Sequence, residues 1–552
     1  MLLPWTTRIL IFSLLIHLVQ PSAFLSRPDI SAPTVTVHIN HLDAASNDLI
    51  SLTSWYTGHD GPYLFDLRGN LVWDGHKAFE KTPAIDEVLP SGSNVHNLHF
   101  VQYQGAPHLA FSTVERDSEG LNTGGKNIIM NSSYAIVEVF DKPDGFTEFD
   151  PHEFRLVDNS TAILQTGRIR HPSTSPFSIN GEVAESAFQL VDVFSRKVNF
   201  EWRSLSHVPE NETCLKIPQL DYYHINSVDK DFQGNYIINA YHACSITKIN
   251  GTDGSIIWRL GGEGSDFKMI DGYKLMHMHH VRIRDFADVR IPKELLGKVS
   301  KQTHLALSIF DNGFFFLGKG VPTAGSSSAI VVLLDLDAMT GQVMERYTQP
   351  QGMYGALFGS VQFLANGDRF IGWGGQRGFS QYTQNNELLL HAEIANEVMP
   401  TWSYRTFKAP WSARPTTQPD LYTYSWNCHW KTSMYASWNG ATDVTSWRFY
   451  GSPFEDSGFE EITFVVKDGF ETRAMAPVFA AYAYVEALHT DGSVLGRSAT
   501  VKTKVPKSEW APLCNELRCW QGFDWTEQGG LGSCNEFSAD LFRGMLAQSV
   551  LT

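Results

Sequence analysis

From about residue 50 to residue 400, short runs of alternating apolar and polar residues are each cut by a Gly/Asn/Asp turn before a second apolar run begins. Asp66-Leu-Arg-Gly-Asn-Leu-Val, Asp231-Phe-Gln-Gly-Asn-Tyr-Ile-Ile and Leu364-Ala-Asn-Gly-Asp-Arg-Phe-Ile are the clearest cases. Turn residues that accept φ > 0, flanked by β-branched and aromatic residues, predict hairpins. After the Asp231 hairpin come Cys244-Ser-Ile-Thr-Lys-Ile, the turn Asn250-Gly-Thr-Asp-Gly and Ser255-Ile-Ile-Trp-Arg-Leu, which together predict one four-stranded antiparallel unit.

Similar units start near Val101, Phe154, His224, His279 and Ser360, and the Trp-Arg pairs at Trp202 and Trp258 recur at the ends of consecutive units. A partial unit from Tyr63 to Trp73 is placed to close the series. Repetition on this scale predicts a β-propeller of about six blades, in which sheets arranged radially protect one another's edges. Two β-sandwiches are the competing architecture. After residue 400 the repeat stops at a Pro-rich connector beginning Ala409-Pro-Trp. Strand-like segments around Met434, Thr445, Glu461 and Phe479, with a late turn at Asp491-Gly492, then predict an immunoglobulin- or fibronectin-like β-sandwich module. The expected organisation is a signal peptide over 1–23, a propeller over 50–408, the sandwich module over 409–505 and a cysteine-containing tail over 506–552, with helical spacing from Ser538 onward.

The N-terminus accounts for the expected compartment. Arg8, the apolar run Ile9 to Val19 and the small-residue stretch ending at Ala23 have the layout of a secretory signal peptide, and the run is too short to span a bilayer. The longest later small-and-apolar run, Ala474 to Val485, contains Pro477. The mature chain is therefore expected to be secreted, with no membrane partner. Four sequons, at Asn131, Asn159, Asn211 and Asn250, fit a glycoprotein. Six cysteines (Cys214, Cys244, Cys428, Cys514, Cys519 and Cys534) fit disulfides in an oxidising compartment. Their pairing is open among 15 arrangements, with a staple inside the tail preferred.

The 552 residues carry 59 Asp+Glu against 43 Lys+Arg, a formal charge of −16, which argues against a nucleic-acid partner. No nucleophile elbow, phosphate-cradling loop or dinucleotide fingerprint occurs. No zinc-enzyme spacing occurs either, so no metal and no cofactor is expected. The suggestive chemistry is histidine. His224 and His279 both stand at unit starts, where first strands line a propeller's channel, and His242 follows a strand. Imidazoles converging there could act as base, cation or nucleophile.

Asp221-Tyr-Tyr-His-Ile-Asn-Ser-Val, Gly234-Asn-Tyr-Ile-Ile, Tyr241-His, Gly254-Ser-Ile-Ile-Trp-Arg-Leu-Gly-Gly, Ser308-Ile-Phe-Asp-Asn-Gly and Gly359-Ser-Val-Gln-Phe-Leu-Ala-Asn-Gly together resemble the arylsulfotransferase family, in particular its secreted fungal branch. The resemblance covers roughly residues 60 to 500. It implies PAPS-independent sulfuryl transfer between phenols through axial histidines, with His224, His279 and His242 at catalytic positions. Four departures stand out: His280 replaces an Asp, Tyr241 replaces an Arg, Phe314-Phe-Phe stands where an arginine-bearing loop is expected, and Gly359-Ser360 stands where the nucleophilic histidine is expected. On this reading a small phenolic substrate meets Tyr223, Asn226, His280, Arg282 and Trp373, and His224 or His279 takes its proton. Two alternatives remain open: a propeller that binds a small molecule or carbohydrate without catalysis, and an isomerase, cyclase or hydrolase of secondary metabolism using the same channel.

Overall fold

The computed structural model describes residues 24–43, 46–54, 61–76, 94–116, 122–215, 217, 220–313, 325–395, 401–425, 431–505 and 542. The expectations for the signal peptide, for Phe314 to Phe316, for Cys428 and for the tail with Cys514, Cys519 and Cys534 lie outside these residues.

The described chain is all-β and propeller-like. Six sheets run as meanders whose first strands are Asn94–Tyr103, Glu148–Val157, Ile225–Lys230, Met278–Arg284, Ser360–Phe363 and Phe407–Pro410. Each first strand packs against the next, and Phe407–Pro410 returns to Asn94–Tyr103, so the six form a closed ring. All five positions read as unit starts fall in or immediately before one of these strands.

The ring closes by pairing distant parts of the chain. Phe407–Pro410 pairs antiparallel with Asp48–Thr53, which continues into Pro62–Phe65 and Leu71–Asp74. Thr34–Asn40 adds an outer strand to the preceding sheet by pairing with Leu388–Ala395. Limits at 50 and 408 therefore cut through strands, because ring closure needs residues from both sides of each.

The hairpin signals work through their carboxylates. Asp66 Oδ1 accepts from the Arg68 and Asn70 amides at 2.8 and 2.9 Å, and Asp231 Oδ1 accepts from those of Gln233 and Asn235 at 2.9 and 2.8 Å. Both turns then need a left-handed residue, supplied by Gly69 (φ 86°) and Gly234 (φ 88°).

Apolar positions facing between adjacent sheets form the cores. Trp202, Tyr222, Tyr223, Tyr236 and Ile238 pack between two sheets, and Phe310, Val361, Ile371 and Trp373 between two others. Beyond the ring, two further sheets share one core around Met434, Trp447, Phe449 and Val485, which also takes in Phe542. These sheets dock on the ring through Asn439, which exchanges hydrogen bonds with the Asp74 backbone at 2.8 and 2.9 Å. Trp73 stacks on Tyr134 beside this junction at 4.7 Å.

A β-carbon at Gly69 would stand 2.4 Å from the Val35 carbonyl oxygen, whereas one at Gly234 would meet nothing within 4 Å. Gly69→Ala should therefore destabilise the fold by about 2 kcal/mol or more, and Gly234→Ala by about 1 kcal/mol from backbone strain alone. Denaturant unfolding of the two variants checks the order; equal losses would contradict the packing of Thr34–Asn40 over the Asp66 turn.

Candidate functional site

The first strands of four sheets carry a bulge at the same level of the ring. The register skips between His96 and His99, between Asp150 and Phe154, between Ile225 and Ser227, and between His279 and Arg282. Bulges re-aim side chains and end regular pairing. Here they separate the axial residues into two groups with different chemistry.

The first group is built on carboxylates. His152 Nδ1 bonds to Asp150 Oδ1 in a short contact, and His224 Nδ1 bonds to Asp221 Oδ2 at 2.6 Å. Arg168 lies between the two carboxylates, with Nη2 3.0 Å from Asp221 Oδ2. Its Nε is 3.2 Å from Asp150 Oδ2, an ionic contact off the hydrogen-bond direction. The result is a chain His152–Asp150–Arg168–Asp221–His224 that joins two adjacent sheets. The two imidazoles meet edge to face with centroids 4.5 Å apart.

Local backbone explains these positions. Asp221 bridges to Ala184 of the preceding sheet. The chain then turns through His224 (φ 59°), whose amide donates to Asp221 Oδ1 at 3.0 Å and Ser186 Oγ at 3.1 Å. Arg168 is set opposite Glu148 by strand register, which carries it to the start of the strand bearing Asp150 and His152.

Electrostatics fixes the protonation pattern. Burial pushes both Asp150 and Asp221 up, but Arg168 and the adjoining imidazoles outweigh it and hold both far below the carboxylate range. Burial pulls Arg168 down, while Asp150 and Asp221 pull it up by more. Each ionised carboxylate accepts the Nδ1 proton of its histidine, which turns Nε2 to the opposite side of the ring from the carboxylate. Among the described residues no partner meets Nε2 of either His152 or His224. Both rings keep an opening to solvent, with side chains 13% and 17% exposed.

Further histidines flank this chain. His242 Nδ1 donates to the Asp221 carbonyl at 2.5 Å, and its ring lies 4.7 Å from His224. His279 Nδ1 donates to Asn312 Oδ1 at 2.7 Å; the Asn312 amide is oriented by donating to the Gly355 and Phe358 carbonyls. His224 and His279 both pack on the Tyr241 ring, at 5.6 and 4.8 Å. A disulfide between Cys214 and Cys244 holds the turn that carries Tyr241 and His242, and the Cys214 amide donates to the His242 carbonyl at 2.8 Å. That pairing lies within the ring; the expected tail staple is outside the described residues.

Other expected site residues lie elsewhere. Tyr223 and Trp373 are buried in the inter-sheet cores, with Tyr223 OH 3.3 Å from Thr247 Oγ1 and Trp373 Nε1 donating to Ser380 Oγ at 2.8 Å. Tyr223 packs its ring against Trp202 and Tyr222 in that core, at 5.9 and 5.8 Å. Asn226 is a buried tie, donating to the Met278 carbonyl at 2.8 Å and accepting from Asn239. His280 and Arg282 belong to the second axial group, at a cavity they share with Glu153 and Arg405. His152, Asp150 and Arg168 were missed by sequence reading. The start of the unit at Phe154 was the available signal for His152; the place of Arg168 depends on strand pairing alone.

Asp221, His224 and His242 each offer a ligand atom within 4.8 Å of the others. The same Asp221 oxygen that meets His224 is 3.0 Å from the Arg168 guanidinium, so a cation there would face a fixed positive charge. The sequons are in turns: Asn159 and Asn211 are exposed, whereas Asn131 and Asn250 are half-buried with Oδ1 tied to turn amides.

The fold and site define a propeller-like protein with a histidine-rich axial centre. Residues 124–395 match the model of the arylsulfotransferase (ASST) family. No curated protein matches the chain. Solved structures with a similar fold include a protein of unknown function from Bacteroides caccae, 11% identical over 65% of this chain and 98% of that chain, with a TM-score of 0.38. The Dos1 propeller is 11% identical over 66% of this chain and 70% of its own, with a TM-score of 0.31. A streptogramin B lyase is 8% identical over 67% and 95%, with a TM-score of 0.32. At these scores the likenesses give no residue-level correspondence.

Burial is the leading cause that lowers His242 to about 3, His277 and His99 to about 4, and His279 and His280 well below the ordinary imidazole value. For a base whose folded value is depressed, stability is complete above the unfolded value near 6.5 and falls as pH drops toward the folded value. Unfolding free energy should therefore be level above about pH 7 and decline steeply between about pH 6.5 and 4, by on the order of 1 kcal/mol per pH unit for each such imidazole. Denaturant titrations across that range check this; a flat profile would contradict burial of neutral histidines.

Proposed function

We propose that this chain is a secreted arylsulfotransferase-like protein that moves a sulfuryl group between phenols at the His152–His224 pair. The observation that carries the reading is the pair of Asp–His dyads sharing Arg168, each with its Nε2 unpartnered among the described residues. His224 is assigned as nucleophile. Its Nε2 forms a bond to sulfur while the aryl O–S bond breaks and the phenolate leaves. Asp221, bonded to Nδ1–H, stabilises the positive charge that develops on the ring.

In the second half, His152 Nε2 takes the proton of the acceptor phenol, whose oxygen attacks sulfur as the N–S bond breaks. His224 returns neutral, and His152 releases its proton to the departed phenolate or to water. Burial pulls His152 below the ordinary imidazole value while Asp150 opposes it, consistent with a neutral base at pH 7. His279 and His242 border the same space around Tyr241 and Asp221 and would contact the substrate.

The finer architecture belongs to the same proposal. The ring of six sheets is read as six blades, and the two sheets after it as an immunoglobulin- or fibronectin-like module. The Cys214–Cys244 bridge supports an oxidising, extracellular setting and so the fungal secreted branch, with glycans at the exposed Asn159 and Asn211.

The purified protein incubated with 4-nitrophenyl sulfate and a phenol acceptor should release 4-nitrophenol. Mass spectrometry should find a sulfuryl adduct on the peptide carrying His224. His224→Ala should abolish the adduct, and His152→Ala should slow transfer by about 100-fold or more while leaving the adduct detectable. No turnover and no adduct in a folded protein would refute transfer and favour a binding role.

A further inference from the structure

The second axial group surrounds a cavity of about 210 Å³ lined by Asn97, His99, Glu153, Arg155, His280, Arg282, Arg405 and Phe407 among others. Asn97, His99, Arg405 and Phe407 lie outside residues 124–395, so the family match does not cover this site as a whole.

Its charges do not cancel. Glu153 accepts from Arg282 at 2.6 Å, from Arg405 at 3.1 Å and from the Val228 amide at 3.1 Å, so one carboxylate serves two guanidiniums. Arg155 pairs with Asp229. Nearby, Arg284 donates to Ser308 Oγ and the Val361 carbonyl and has no carboxylate partner among the described residues. Burial pushes Glu153 up, but Arg282, Arg405 and Arg155 overcome it and hold it at about 2, so the carboxylate is already fully committed.

The unpartnered polar atoms are donors. Arg405 donates to Asn97 Oδ1 at 3.2 Å, which fixes the amide orientation and leaves Asn97 Nδ2 buried with no acceptor. Arg405 Nε is likewise buried without one. The Val361 amide donates to His280 Nδ1 at 3.2 Å, so the His280 proton is on Nε2, and no acceptor meets it among the described residues. His280, Arg405 and Asn97 are 5%, 1% and 1% exposed. Buried donors in this number, beside an excess of guanidinium charge, lack an acceptor of negative charge. The volume is below the roughly 300 Å³ at which drug-sized ligand pockets begin.

We propose that this cavity binds a small oxyanion of sulfate or phosphate size, at a site separate from the histidine pair. The anion would accept from Arg282, Arg155 and His280 Nε2–H and would neutralise the charge that Glu153 leaves over. The proposal stands whether or not the chain transfers sulfuryl groups.

The test uses the full secreted chain carrying His224→Gln, so that any anion response comes from elsewhere than the histidine pair. Thermal unfolding and calorimetric titration are run with sodium sulfate, sodium phosphate and phenyl sulfate, against sodium chloride at matched ionic strength. A saturable rise in Tm and measurable heat with at least one oxyanion, absent with chloride, are expected. Free sulfate or phosphate against phenyl sulfate distinguishes an inorganic ion from the head of an ester. Arg282→Gln should weaken binding by at least 10-fold. Because that change also removes a partner of Glu153, Arg155→Gln, whose side chain is a third exposed, serves as the milder variant and should weaken it several-fold. Equal responses to chloride, or affinities unchanged in both variants, would overturn the proposal.

Discussion

Arg168 is the contact on which the axial histidines depend. It reaches Asp150 on its own sheet and Asp221 at the entrance to the next, and each carboxylate orients one imidazole. Removing one member of such a buried set leaves an uncompensated charge, at a typical cost of about 3 to 5 kcal/mol. The same guanidinium therefore links two sheets, keeps two carboxylates ionised and fixes two histidine tautomers. Nearby, the Cys214–Cys244 bridge and the hydrogen bonds around Tyr241 hold the turn that brings His242 against Asp221.

The bulges on four first strands give the axis two chemical levels. On one, carboxylates outnumber arginine and each orients a histidine; on the other, arginines outnumber carboxylate and donors lack acceptors. Neighbouring residues are divided between them. His279 joins the histidine group through Asn312 and Tyr241, while His280, in a left-handed conformation (φ 49°), lines the arginine cavity. A chain of net charge −16 thus concentrates part of its small cationic complement on its axis, where low dielectric makes each charge count most.

Much of the fold was legible because its signals are local. The Asp66 and Asp231 turns depend on residues within four positions of one another, and strand starts could be marked at His224, His279 and Ser360 from alternation alone. The site was less legible because its contacts are between strands. His224, His242 and His279 were found as histidines at strand ends, but His152 sits alone beside Pro151, and Arg168 looks like any polar strand residue until register sets it beside Glu148. Tyr223 and Trp373 were expected in the channel, beside a bound phenol. Burial between sheets claimed both, since a core of this area needs large side chains on its hidden faces.

The central claim is that His152 and His224 present reactive Nε2 atoms to one shared space. Diethyl pyrocarbonate modification of the folded protein at pH 7, mapped by peptide mass spectrometry, tests it directly. The account predicts that His152 and His224 are carbethoxylated well ahead of the buried His279 and His280, and that an aryl sulfate slows both together. Inert His152 and His224, or modification that an aryl sulfate leaves unchanged at both, would contradict it.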